Sequence, residues 1–339
     1  MPLISAVVPV YNETEVIDVF HQRVKSTLQS LEGHDHEIIY VDDGSTDDSY
    51  QKLSELAAKD STVKVIKFSR NFGHQIAISA GIDHARGDAV VAIDADLQDP
   101  PELIKDMVAK WQEGFDVVYG VRKQRDGETV MKLATASIFY RLLGMVAKIE
   151  IPQNVGDFRL MSRRATNELK SLREKDRFVR GLVSWIGFRQ TGVPYHRDAR
   201  YAGKTKYPYR KMIKFALDGI TAFSTVPLKL ATWLGYLTSL LAFLYLASVF
   251  VQKALGYTVE GWATIMVALL FLGGVQLICL GLLGEYIGRI FDEVKRRPMY
   301  VIEEILGSTS DEQCQDISQQ ASEDSSDAPY SRGFNRAAR

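Results

Sequence analysis

The sequence predicts an α/β fold, a mostly parallel sheet with helices on both faces, followed by a two-helix hairpin that crosses a membrane. Three observations predict it. Short β-branched runs alternate with helical periodicity over about the first 120 residues, polar clusters stand directly after successive runs, and two long uncharged apolar runs lie toward the C-terminus.

The strands are expected at Ile4–Val10, Glu37–Val41, Val63–Phe68, Ala89–Ile93 and Val117–Val121, with helical patterns at 14–31, 47–59, 74–86 and 101–113. Alternation of this kind makes a parallel sheet covered on both faces. Ligands of such sheets bind beyond the carboxyl ends of the strands. Tyr11-Asn12-Glu13 follows the first strand, Asp42-Asp43-Gly44-Ser45 the second, Arg70-Asn71 the third and Asp94-Ala95-Asp96 the fourth. Residues 127–148 have the pattern of an amphipathic helix, facing either the core or a membrane surface. Residues 154–195 return to mixed α/β, with a strand ending near Tyr195.

The opening MPLISAVVPV has no basic start and runs at once into polar residues, so it reads as a first strand and not as a secretion signal. Residues 230–251 and 263–284 carry no charge, and 22 residues of helix span roughly 33 Å, about the thickness of a bilayer's hydrocarbon layer. Lys and Arg crowd 197–214 and 289–297, whereas the loop 252–262 holds one Lys and one Glu. That asymmetry puts both flanks in the cytoplasm. The expected organisation is a cytoplasmic transferase unit at 1–195, a basic amphipathic juxtamembrane segment at 196–229, the hairpin at 230–290, a cytoplasmic segment at 291–306 and a disordered Ser/Asp/Glu/Gln-rich tail at 307–339.

Composition is that of an ordinary globular protein, with 46% hydrophobic and 24% charged residues and a formal charge of -1, and no nucleic-acid partner is expected. Cys279 and Cys314 are too few and too far apart for a disulfide framework or a zinc site.

Asp94 and Asp96 end a buried strand, where two carboxylates are costly without a cation. On extended backbone they would point the same way and share one ion, and oxygen ligands suit Mg²⁺ or Mn²⁺. Capping explains Ser45, Thr46 or Asp47, but two adjacent acids after an apolar strand, Asp42 and Asp43, suit a base or ribose contact. Arg70 precedes a helix whose free amides could face an anion.

The motifs SAVVPVYNE, VDDGSTDDS, SRNFGHQIA, DADLQDPPE and NVGDFRLMSR closely resemble the inverting family-2 glycosyltransferases, and within them the polyprenyl-phosphate glycosyltransferases. That group includes bactoprenol glucosyltransferases and dolichol-phosphate mannose synthases, and the hairpin resembles the former branch. The resemblance covers roughly residues 3–300 and implies a GT-A-type fold. It implies that Pro9, Tyr11, Glu13, Asp42 and Asp43 line the nucleotide, that Arg70 lies near it, and that Asp94, Ala95, Asp96 and Gln98 form the metal and diphosphate site. Asp157 matches the acidic position near the sugar and the attacking acceptor. Arg122 and Lys132 match a phosphate-contacting stretch, and Arg200, Lys204 and Lys206 a juxtamembrane motif for the lipid phosphate.

The implied reaction moves a sugar from a nucleotide sugar to polyprenyl phosphate, with UDP-glucose expected first, other UDP-sugars next and GDP-mannose behind. Asp157 is the expected catalytic residue; its alternative role is structural, as a cap or partner of Arg159. The rival activities are a GDP-mannose-dependent mannosyltransferase, a polysaccharide synthase, whose Gln-x-x-Arg-Trp motif is absent, a nucleotidyltransferase and a catalytically silent membrane scaffold. Amphipathic helices beside a small anchor also favour a homo-oligomer.

Overall fold

The structure is a computed structural model that describes residues 1–123, 155–175, 177–196, 226–256 and 261–307, with backbone alone at 262–264. The expected helix at 127–148, most of the basic segment and the tail lie outside the described residues, as do Lys132, Arg200, Lys204, Lys206 and Cys314.

The elements run β1 (Leu3–Val10), α1 (Ile17–Gln29), β2 (Asp35–Asp42), α2 (Ser49–Lys59), β3 (Val63–Phe68), α3 (His74–His84), β4 (Ala89–Ala92) and α4 (Ile104–Gln112). They continue with β5 (Val117–Arg122), β6 (Val155–Ser162), α5 (Arg163–Ser171), α6 (Val179–Ile186), β7 (Gln190–Tyr195), α7 (Val226–Ala254), α8 (Trp262–Val294) and β8 (Ile302–Leu306). All five strands and four helical patterns expected in the first part of the chain are present, to within about three residues at most ends.

The eight strands form one sheet in the order β7-β5-β6-β4-β1-β2-β3-β8. β1 lies between β2 and β4, parallel to both, with Val7 opposite Ile39 on one side and Ala92 on the other. Alternation along it divides the core. Ile4, Ala6, Val8 and Val10 pack with Phe20, Val24 and Leu28 of α1, while Val7 packs with Ile39, Val41 and the Ala77, Ile78 and Ile82 side of α3. Both faces are covered, which is why AVVPV, residues 6–10, is apolar without interruption.

The sheet is less uniformly parallel than strand-helix alternation implies. β6 runs antiparallel to both β4 and β5, and β8 antiparallel to β3. β8 is absent from the sequence-based expectation, which left 291–306 as a plain segment. Its IEEIL sequence is short and carries two adjacent acids whose partners come from β3 and α2: Glu303 pairs with Lys67 at 3.1 Å, and Glu304 accepts from Tyr50 Oη at 2.5 Å. Charged side chains of this kind suit an edge strand.

α7 and α8 contain the two expected spans and extend beyond them. Of their most apolar stretches, 6% and 0% respectively is buried, so these are not core helices of a soluble unit. Cys279, a free thiol, contacts the Ala231 carbonyl across the hairpin at 3.8 Å.

Gly81 lets α3 lie close on the sheet, because a Cβ there would stand 2.2 Å from Val7 Cγ1. Helix propensity favours alanine by about 1 kcal/mol, but overpacking costs about 1–3 kcal/mol. Gly81→Ala is therefore expected to lower the apparent Tm of the detergent-solubilised chain in a thermal melt; an unchanged or raised Tm would contradict the packing described.

Candidate active site

The loops after β1, β2 and β3 are laced together at the carboxyl end of the sheet. Asn12, at φ 55°, donates from its amide to Ser45 Oγ at 3.1 Å and accepts from the Thr46 amide at 2.8 Å. The Glu13 amide donates to Ser49 Oγ at 2.9 Å. Gly44 has φ 68°, and a Cβ on it would stand 2.5 Å from the Arg70 carbonyl carbon, so only glycine permits this approach.

Asp43 is the centre of the lacing. Its carboxylate accepts from the Phe72 amide at 2.7 Å and the Gly73 amide at 3.0 Å, and its own carbonyl accepts from Asn71 Nδ2 at 3.1 Å. The amides ahead of α3, expected to face a ligand anion, thus hold this protein carboxylate instead. Asp42 is fully buried at the end of β2; it accepts from the Ser45 amide at 3.3 Å, and its Oδ1 has no hydrogen-bond partner. Burial pushes both carboxyls up. Pro9 is buried within β1, whereas Tyr11 is exposed. Arg70 is exposed too, its guanidinium 4.1 Å from the Phe72 ring centroid.

The second half of the site comes from β4, β6 and α6. β4 ends at Ala92, and the chain turns through Ala95-Asp96, with Leu97 left-handed at φ 59°. The extended backbone that would aim Asp94 and Asp96 alike is therefore absent. Asp96 Oδ1 accepts from the Gln98 amide at 3.1 Å, while Ala95 is buried. A non-glycine residue in this conformation is strained, and such residues gather at functional sites.

Asp157 lies buried in the middle of β6. Arg180, at the start of α6, grips both its oxygens at 2.8 and 3.0 Å, and Gln75 Nε2 donates to Oδ2 at 3.1 Å. Arg159, the partner considered from the sequence, stands farther off at 3.9 Å and donates to the Gly156 carbonyl at 3.0 Å. Burial alone would push the Asp157 carboxyl up, but Arg180, His74 and Arg159 hold it well below the usual carboxylate range.

His74 joins the halves: its Nε2 is 3.3 Å from Asp94 Oδ1 and 3.5 Å from Asp157 Oδ2. Desolvation opposes charge on the ring, yet Asp94 and Asp157 outweigh it and push the imidazole up to about 9. Asp94 moves the other way from a normal acid. Burial raises its carboxyl to about 6 against the pull of His74, and Asp157, Asp99 and Asp96 add to the rise.

Arg122, at the end of β5, points into a buried cluster. Its Nε donates to Tyr195 Oη at 3.1 Å and its Nη2 to Asp99 Oδ2 at 3.4 Å, while Tyr195 Oη also donates to Asp99 Oδ1.

The sequence named Asp94, Asp96 and Asp157 but passed over His74, Gln75 and Arg180. The first two stand inside the motif SRNFGHQIA, where they could have been found. Arg180 gave no signal, being one cation at the head of an apolar eight-residue helix.

The acids fit a hard divalent cation. Asp94 Oδ1 is buried with no partner but the His74 ring at 3.3 Å, and three further carboxylates crowd it. Among the described residues no three His, Cys, Asp or Glu side chains form a protein-only cage.

The fold is of GT-A type, and the family match makes the chain a glycosyltransferase. The chain belongs to glycosyl transferase family 2, whose model matches residues 5–170, while that of the GtrB C-terminal hairpin matches 226–290. The second match falls on α7 and α8 and makes the chain membrane-associated. The glycosyltransferase YkcC of Bacillus subtilis (strain 168) is 53% identical over 304 residues, 89% of this chain and 94% of that protein. The bactoprenol glucosyl transferase of Shigella phage SfII is 45% identical over 300 residues, 88% and 97%. Among solved structures, glucosyl-3-phosphoglycerate synthase from Mycobacterium tuberculosis, crystallised with Mn²⁺, UDP-glucose and phosphoglyceric acid, aligns with a TM-score of 0.46 at 20% identity, over 66% of this chain and 79% of that one.

Arg180→Met removes the bidentate partner of a buried carboxylate. Gln75 still donates, so the expected loss near neutral pH is about 2–3 kcal/mol, the lower side of the cost of breaking a buried pair. Because the folded Asp157 carboxyl is depressed, its stabilisation is present above the unfolded value and is lost as pH falls through the folded one. The difference from wild type should hold above about pH 4 and shrink as pH falls below it. Melts of both proteins on either side of that pH measure it, and a constant difference would rule out the ion pair as its source.

Proposed function

We propose that the chain transfers glucose from UDP-glucose to an undecaprenyl-type polyprenyl phosphate, with inversion at the anomeric carbon, at the cytoplasmic face of the cell membrane. The observation that carries the lipid acceptor is where the hairpin returns to the sheet. After α8 the chain enters β8 beside the carboxyl end of β3: the Ser69 amide donates to the Val301 carbonyl at 3.0 Å, and Phe68 stands opposite Ile302. Arg70 and Asp43 belong to that same end, so the membrane anchor and the site loops share one edge of the sheet. The bactoprenol glucosyl transferase relative supports glucose and a polyprenyl acceptor.

In this proposal Pro9, Tyr11, Glu13, Asp42, Asp43 and Arg70 receive the nucleotide, and Asp94, Asp96 and Gln98 hold Mg²⁺ or Mn²⁺ with the diphosphate. The cation, when bound, offsets charge accumulating on the leaving nucleoside diphosphate. Asp157, fixed by Arg180 and Gln75, orients the sugar or stabilises positive character at its anomeric carbon, as carboxylates do in glycosidases. A phosphate monoester, with its second pKa near 6, is largely ionised at neutral pH, so the attacking oxygen needs little help from a base. Lys132, Arg200, Lys204 and Lys206 meet the lipid phosphate, with Arg122 nearby. The transferase unit is 1–195, followed by the juxtamembrane segment 196–229 and the hairpin at 230–290.

The deciding experiment offers purified full-length chain, with undecaprenyl phosphate and Mn²⁺, radiolabelled UDP-glucose, other UDP-sugars and GDP-mannose in turn. Labelled lipid is expected from UDP-glucose, abolished by EDTA and restored by Mn²⁺. Preference for GDP-mannose would replace the donor, and binding without transfer would overturn the enzymatic assignment. Asp157→Asn is expected to lose about 10²-fold or more in kcat, and near wild-type turnover would remove Asp157 from the chemistry. Lys204→Ala should raise the KM for polyprenyl phosphate more than that for UDP-glucose; equal effects would count against a lipid-phosphate role.

A further inference from the structure

We propose that His74 is a phosphate-positioning residue of this site, its imidazole N–H holding a phosphate oxygen of the substrates between Asp94 and Asp157. The inference rests on the transfer reaction proposed above, and it assigns a residue which that proposal does not use.

Four observations lead to it. The root of the side chain is fixed: Gly73 stands at φ 105° and His74 opens α3, while Asp43 holds the Phe72 and Gly73 amides just before it. From there the ring reaches two carboxylates on different strands, 3.3 Å from Asp94 and 3.5 Å from Asp157. The described ion pairs put His74 on both, and Arg180 and Arg159 on Asp157. Finally, the ring is 45% exposed, against 27% for Arg180 and 4% for Arg159, so it is the donor that an entering ligand meets first.

The chemistry follows from what surrounds it. A phosphate placed between two carboxylates is repelled unless a donor stands there, and a cation on Asp94 offsets only that side. Asp94 would hold the cation, and Nε2, which lies between the two carboxylates, would be the N–H donor left for the phosphate. An Nε2–H donor exists both in the imidazolium and in one neutral tautomer. Gln75 holds Asp157 from the next position and accepts from the Val179 amide at 3.1 Å, so the anion-hostile side of the site does not rest on the ring alone. The phosphate oxygen belongs either to the donor diphosphate or to the acceptor monophosphate, and separate measurements distinguish the two.

The test uses full-length wild type, His74→Ala and His74→Gln, the last retaining an N–H donor of similar reach. Calorimetry measures UDP binding with Mn²⁺ present, kinetics gives KM for UDP-glucose and for undecaprenyl phosphate separately, and a thermal melt checks folding. His74→Ala is expected to weaken one phosphate ligand about tenfold or more, the size of a hydrogen bond to a charged group, with substantial recovery in His74→Gln. Weaker UDP binding with a raised UDP-glucose KM assigns the donor diphosphate. A raised undecaprenyl phosphate KM with unchanged UDP binding assigns the acceptor. UDP affinity and both KM values unchanged in His74→Ala, or a loss that only tracks a lowered Tm, would overturn the proposal. Wild type that binds UDP but transfers no sugar would instead refute the transfer reaction, leaving UDP affinity in His74→Ala as an independent measure.

Discussion

Carboxylates gather at one end of the sheet, and the neutralisation of each shapes what lies around it. Asp43 is satisfied by backbone amides, Asp99 by Arg122 and Tyr195, and Asp157 by Arg180 and Gln75. Protein partners hold all three in place. They fix, respectively, the entry to α3, the end of β5 against β7, and α6 against β6. Asp42 and Asp94 are different: Asp42 keeps a buried oxygen without a hydrogen-bond partner, and Asp94 Oδ1 has only the ion pair with His74 at 3.3 Å. A folded chain tolerates few such atoms, and their cost is justified where a ligand completes them. The paired acids are positioned by the protein itself, and the incomplete ones leave an oxygen for a ligand to complete.

That division explains which parts were legible in the sequence. Strand positions were readable because β1 to β4 centre on short β-branched runs bounded by turn residues. The acids at their ends were readable because carboxylates after apolar strands have few bland explanations. What could not be read was the pairing. Nothing in the spacing of Asp43 and Phe72 says that a carboxylate caps the amides ahead of α3, nor that Asp157 takes Arg180 in preference to Arg159, two residues away. Long-range pairs depend on the order of strands in the sheet, and β6 enters that order antiparallel between β4 and β5. Alternating strands and helices predict parallel neighbours and give no hint of such an insertion.

β8 shows the same limit at the sheet's other edge. Five residues containing Glu303-Glu304 do not look like a strand, because their acids face partners supplied from far away in sequence. Lys67 and Tyr50 supply them, and Tyr300, stacked on Phe68 at 5.2 Å, gives its hydroxyl to Asp83 at 3.0 Å. The strand covers the otherwise open edge of β3, which protects it from pairing with other chains.

The direction of β8 has a further consequence. β3 runs parallel to β2, and β2 to β1, so the carboxyl ends of these three strands lie together; β8, antiparallel to β3, must begin where they end. Only Lys295 to Val301 separate the end of α8 from that point. The link is held on the way, by the Lys175 amide on Glu293 at 2.8 Å and by Arg177 on Met299 Sδ at 3.5 Å. Seven residues of extended chain reach at most about 25 Å. A hairpin tied at that distance keeps the site loops near the end of α8, whatever the rest of the catalytic unit does. A soluble acceptor gains nothing from such a tether, whereas a phosphate carried on a lipid can reach the sugar only if the site stays near the bilayer surface.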